Sequence, residues 1–217
     1  TLTLSNPAST VVVPSGGLTL NASTVTMTIG QGQINAANAP VLNGASSLTL
    51  FGANTLAGFT FNNNGGATAP NLVTTRGVLT LSGNVTASSS NAGTTAVITA
   101  GNVDLGSGAR TFTVNPITFD GTAGGTVISP FAPTLNVTAI IQTAANTGSL
   151  VKAGAGILQL GGVNTFGVAG STGVDLQAGG LLLNVGTALG AGNLLISGNN
   201  TSVSASAATI SVANPVT

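Results

Sequence analysis

Triplets of an apolar, a polar and an apolar residue recur along this chain: Leu2-Thr3-Leu4, Leu18-Thr19-Leu20, Leu48-Thr49-Leu50 and Leu79-Thr80-Leu81. Side chains alternate across a strand, so each triplet buries two Leu on one face and leaves Thr on the other. Related triplets follow at Val103-Asp104-Leu105, Phe112-Thr113-Val114, Leu158-Gln159-Leu160 and Val174-Asp175-Leu176, whose polar centres place the charges outward. Between them lie clusters such as Asn62-Asn63-Asn64-Gly65-Gly66 and Ser88-Ser89-Ser90-Asn91-Ala92-Gly93. These residues supply positive φ and self-capping side chains for turns. The strands are therefore expected to be only slightly longer than the triplets. Helix is disfavoured, because the chain has no Glu, one Lys and two Arg, and its Ala residues sit beside Gly or Asn instead of on a helical stripe.

The first four triplets begin 16, 30 and 31 residues apart, an irregular period within the range of stacked repeat units. Such strands suit either a sandwich or a solenoid. A sandwich core of this length normally uses larger aromatics and a more charged outer face, whereas this chain is 3% aromatic and 3% charged. A narrow solenoid interior is filled by Val, Leu, Ile, Ala and Thr. The expected architecture is all-β, a right-handed parallel β-helix, or β-solenoid, of about seven to ten short coils. At a strand spacing of ~4.8 Å that is a rod of about 35–50 Å. Backbone pairing between coils, with like residues stacked in Asn and Thr ladders, would stabilise it without charges.

Composition also narrows function. Arg76, Arg110, Lys152, Asp104, Asp120 and Asp175 are the only charged residues, and the formal net charge is zero. No basic face can be assembled, so nucleic acid is not an expected partner. Disorder is opposed by the 42% hydrophobic content and zero net charge. The segment 179–196 is the most apolar, but Asn184, Thr187, Asn193 and five glycines break it, so membrane insertion is not expected. Without Trp or Tyr a lipid-facing barrel lacks its aromatic girdles. Cysteine is absent, which removes disulfides and thiolate metal sites. Low charge and few basic protease sites suit an extracellular or bacterial cell-surface location.

The clearest repeat spans 148–190, with Leu150, Lys152, Gly154, Gly156, Leu158, Leu160, Gly162, Asn164, Thr165 and Phe166 at its motif positions and Ala178, Gly179 and Leu181 closing it. This pattern resembles the autotransporter-associated β-strand repeat. The segments 77–83 and 207–217 are similar to pieces of the same unit. The resemblance implies a passenger segment of a large secreted or surface-attached bacterial protein, folded as a parallel β-helix, and implies no catalytic residues. Residues 1–217 are read as one solenoid belonging to a longer repeat protein. Thr1 begins in a strand pattern and Thr217 ends without a polar cap, so both ends are expected to be cuts or docking edges.

Chemistry finds little footing. Asp104 and Asp120, with Arg110 between them, are the least unsuitable acid pair, since coils can bring distant residues together and hydrolysis needs two acids within roughly 5–10 Å. Against this, Asp120-Gly121 is a turn pair and Asp104 falls at an outward position. Without His or Cys the Ser and Thr hydroxyls lack a base, so they are read as turn and ladder residues. The G-G-x-G-x-D calcium motif is absent from the sequence. Neither a catalytic site nor a metal or cofactor is expected. Lys152 is read as a solvated charge with its stem along the rod. Phe59 and Phe61 share a strand face, and Phe51, Phe112, Phe119, Phe131 and Phe166 are expected in core or inter-subunit packing.

The leading expectation is an extracellular structural β-solenoid that self-associates into a fibre, filament or surface layer, since a neutral apolar-rich surface favours association. Its partner would be itself, with a cell-surface or matrix polymer as a further possibility. One alternative is the rod-like passenger segment of an autotransporter-type adhesin. A lesser alternative is ice binding, suggested by Thr24-Val25-Thr26-Met27-Thr28 and Thr111-Phe112-Thr113.

Overall fold

The computed structural model describes residues 1–99, 101–144 and 147–217. Regular structure among them is entirely β, in strands of three to nine residues, with no helix. Short strands follow from the sequence: Gly, Asn and Ser interrupt every apolar alternation before it can lengthen.

Three sheets run along the rod. The first stacks Leu2–Leu4, Thr24–Met27, Ser47–Phe51, Asn71–Thr75, Ala96–Thr99, Pro133–Val137, Ile157–Leu160, Gly180–Leu183 and Ser202–Ala205. The second stacks Thr19–Asn21, Val41–Asn43, Phe59–Asn63, Val85–Ser89, Arg110–Thr118, Leu150–Ala153, Thr172–Leu176 and Asn193–Ile196. A shorter third sheet holds Asn54–Leu56, Val78–Leu81, Asn102–Asp104 and Ile140–Gln142. Every pairing between coils is parallel, and the chain is a β-solenoid of about 8 turns. At ~4.8 Å per coil the stack is roughly 38 Å long.

The register shows why the triplet spacing was irregular. Leu2-Thr3-Leu4 and Leu48-Thr49-Leu50 lie in the first sheet, Thr19 and Leu20 in the second, and Leu79-Thr80-Leu81 in the third. Their separations therefore mix different fractions of a coil. True coil steps are 23 residues from Leu4 to Met27, 24 from Leu48 to Leu72, and 23 from Leu160 to Leu183. One coil is longer, at 39 residues from Ile98 to Val137. It carries an excursion in which Val127–Ser129 turns back antiparallel on Arg110–Thr118.

Inward positions form continuous apolar columns. Val25, Leu48, Leu72, Ile98, Val137, Leu160 and Leu183 succeed one another in register, each at most 4% exposed. Phe59 and Phe61 are buried in the second sheet with ring centroids 6.1 Å apart. No candidate membrane-spanning helix occurs among the described residues; the apolar segment at 179–196 forms the strands Gly180–Leu183 and Asn193–Ile196.

Candidate functional site

The motif residues of the 148–190 repeat build one coil and its corners. Leu150 and Lys152 point inward from Leu150–Ala153, and Leu158 and Leu160 point inward from Ile157–Leu160. Between these strands the chain turns from the second sheet to the first at Gly154, whose φ is 78°. A Cβ on Gly154 would lie 2.4 Å from the Val114 carbonyl oxygen, and one on Gly156 would lie 2.1 Å from that of Asn115. Hydrogen at these positions lets the corner rest directly on the coil before it. Gly162 makes the same close approach to Ala139.

Asn164 is buried and joins three coils. Its Oδ1 accepts from the Ile141 N–H at 2.7 Å, and its Nδ2 donates to the Ala188 carbonyl at 2.7 Å. Thr165 is exposed, but its backbone N–H donates to the Ile141 carbonyl at 2.9 Å. Phe166 is fully buried.

Lys152 overturns the reading of a solvated charge. It occupies an inward column between Phe112 in the preceding coil and Leu176 in the next, and it is 0% exposed. Inward direction follows from the alternation with Val151, which here outweighs the tendency of a long cationic side chain to reach solvent. Its ammonium donates to the carbonyls of Ala153 at 3.0 Å, Gly154 at 2.7 Å and Ala178 at 2.9 Å. Burial pulls its pKa from the ordinary lysine value down to about 7. The three carbonyls compensate in part, because they satisfy all three N–H donors of the charged form.

Asp104 keeps the expected outward register, in line with Thr80 and Gln142, yet neighbouring loops cover it. It is only 6% exposed, and its carboxylate accepts from the Gly106 N–H at 2.7 Å and more distantly from that of Ala144. A carboxylate at the end of a short strand is well placed to satisfy turn N–H groups that the ladder leaves free. Arg110 donates to the carbonyls of Leu81 at 2.8 Å and Ala109 at 3.2 Å. Asp120 lies beyond the far end of Arg110–Thr118, a strand of nine residues, or about 25 Å at the usual rise. The structure therefore does not bring Asp104, Arg110 and Asp120 into one site. Asp120 is fully engaged in its turn, where the backbone N–H of Thr122 at 3.1 Å and the Thr122 hydroxyl at 3.0 Å hold its carboxyl below the ordinary value. Asp175 accepts from Gln177 and Ser197 on the outer face.

Polar ladders line the outside. Asn43 donates to Asn21 and Asn62 to Asn43, both at 2.7 Å, and Asn115 donates to Ser88 at 2.9 Å further along. Thr60, Thr86 and Thr113 stack in register, as do Thr3, Thr26 and Thr49, although Val73 follows the last. Among the described residues no group of three or more His, Cys, Asp or Glu is placed to hold a metal.

Sequence reasoning missed the internal amides. Gln33, Asn38, Asn54 and Asn63 are buried and bridge corners of different coils. Asn38, for example, donates to the Pro14 carbonyl at 2.8 Å and accepts from the Gly17 N–H at 3.0 Å. Asn in a turn and Asn in a corner staple look alike in one sequence; only the stacking tells them apart.

Fold and geometry together define a parallel β-solenoid whose buried amides and Lys152 bond its corners from coil to coil. Compared with protein-family models, with curated proteins and with solved structures, the chain matches none.

Proposed function

We propose that this chain is an extracellular structural rod, of the bacterial surface type that its repeat resembles, and that it associates with copies of itself. The observation that carries this reading is the interior: inward columns run from coil to coil, and the buried amides and Lys152 bond one coil to another. Such a stack resists bending and shear, because displacing one coil breaks a whole row of parallel backbone bonds. Self-association is supported by the zero net charge and by exposed apolar side chains on the excursion, which offer attraction without long-range repulsion.

Negative-stain microscopy over a concentration series tests it. Ordered assemblies built from rods roughly 40 Å long support the proposal, given the ~4.8 Å coil spacing. Isolated rods at every concentration overturn the self-association.

A second reading, the monomeric passenger rod of an adhesin, is favoured by how the 150–166 motif maps onto one coil with its glycines at the close corners. It predicts those isolated rods.

A further inference from the structure

The longest coil departs from the rod at the corner between the second and first sheets. Ile117 pairs with Ser129 and Thr118 with Val127, antiparallel, and the Phe119 N–H donates to the Thr126 carbonyl at 2.9 Å. The Thr118 hydroxyl donates to the Thr122 carbonyl at 2.9 Å within the same turn. The excursion is thus a hydrogen-bonded hairpin, yet it presents Phe119 at 80% exposure and Phe131 at 87%, with Val127 and Ile128 also exposed. Phe59, Phe61, Phe112 and Phe166 are all buried in the rod. A Phe left in water forgoes the stabilisation of burial, so two on one excursion are a feature that the isolated fold does not use.

Beside them lies an apolar depression of about 150 Å³, lined by Pro116, Ile117, Val127, Pro130, Ala155 and Ile157 among others. An apolar cavity of about that volume accepts a benzene ring. Phe131 stands directly between Pro130 and Ala132 at its rim. Projection and socket therefore adjoin, as a two-fold contact that is satisfied twice requires.

We propose that this face is a lateral contact between two copies of the chain, in which Phe131 of each copy fills the depression of the other. Asp120, next to Phe119, is the one charged side chain of the excursion, and its carboxylate is turned into its own turn by the Thr122 N–H and hydroxyl. Area permits the contact. Phe119 and Phe131 of both copies, at about 150–250 Å² each and 80% and 87% exposed, give with an equal covered surface roughly 1,000–1,700 Å², within the range of specific interfaces. The contact rests on the self-association proposed above and names its surface.

Sedimentation velocity of the purified chain over a concentration series tests it, with two variants made on opposite sides of the contact. Phe131→Ser removes the projection, and Ala155→Gln fills the socket from an exposed position. A wild-type dimer whose Kd rises at least tenfold in both variants, with unchanged circular dichroism, is the expected result. A wild-type dimer that both variants leave unchanged overturns this contact but not self-association. A monomer at every concentration overturns both.

Discussion

The ammonium of Lys152 donates to the carbonyl oxygen of Ala178, one coil further along the rod, at 2.9 Å. With its bonds to Ala153 and Gly154, this makes the only lysine of the chain a staple between two successive corners. The stem fills an apolar column, and the head supplies three donors where backbone carbonyls converge. Leu could do the first and not the second.

Removing both contributions should cost most. Lys152→Ala leaves a cavity and three carbonyls without this donor, and the expected loss is about 3–5 kcal/mol. Lys152→Met restores the packing but not the donors and should fall between wild type and Ala. Urea unfolding followed by circular dichroism gives the order, and equal midpoints for Met and wild type would remove the staple from the account.

Stability should rise with pH above neutrality. The unfolded lysine keeps its proton up to about 10.5, whereas burial lets the folded one lose it near 7. Between these values the unfolded state binds more protons, so raising the pH favours folding by up to about 1.4 kcal/mol per unit. Below the lower value both states are charged and the burial penalty is fully present. The chain has no His, Cys or Tyr side chain to titrate in this window, so Lys152→Met should flatten the profile. Urea midpoints from pH 6 to pH 10 measure it.

Asn164 should matter as a paired donor and acceptor. Asn164→Ala leaves the Ile141 N–H and the Ala188 carbonyl unpaired inside the rod, at about 2–4 kcal/mol. Hydrogen exchange at Ile141 should accelerate even where global unfolding is unchanged.

Two glycines of similar backbone conformation should respond differently. Gly154 and Gly170 have φ of 78° and 84°, but a Cβ at Gly154 meets the Val114 carbonyl at 2.4 Å, whereas at Gly170 nothing lies within 4 Å. Gly170→Ala should cost about 1 kcal/mol of backbone strain; Gly154→Ala should cost several, because the whole corner must lift. Paired urea melts decide it.

The alternation of apolar and polar residues, the Gly and Asn clusters and the missing charges were enough to determine an all-β stack of short strands, since period and turn chemistry are local properties. Leu150, Leu158, Leu160 and Phe166 could likewise be read as interior from their pattern. The coil length could not, because Leu20, Leu48 and Leu79 look alike yet belong to three different sheets, and sheet membership depends on how far each corner turns. Nor could the fate of the polar residues. Lys152, Asp104 and Asn164 are buried because neighbouring coils bring backbone groups to meet them, and Phe119 and Phe131 are exposed because one coil leaves the stack. Those partners lie as much as 40 residues away in the chain, so only the tertiary structure decided which polar side chains could be buried and which aromatic ones were left exposed.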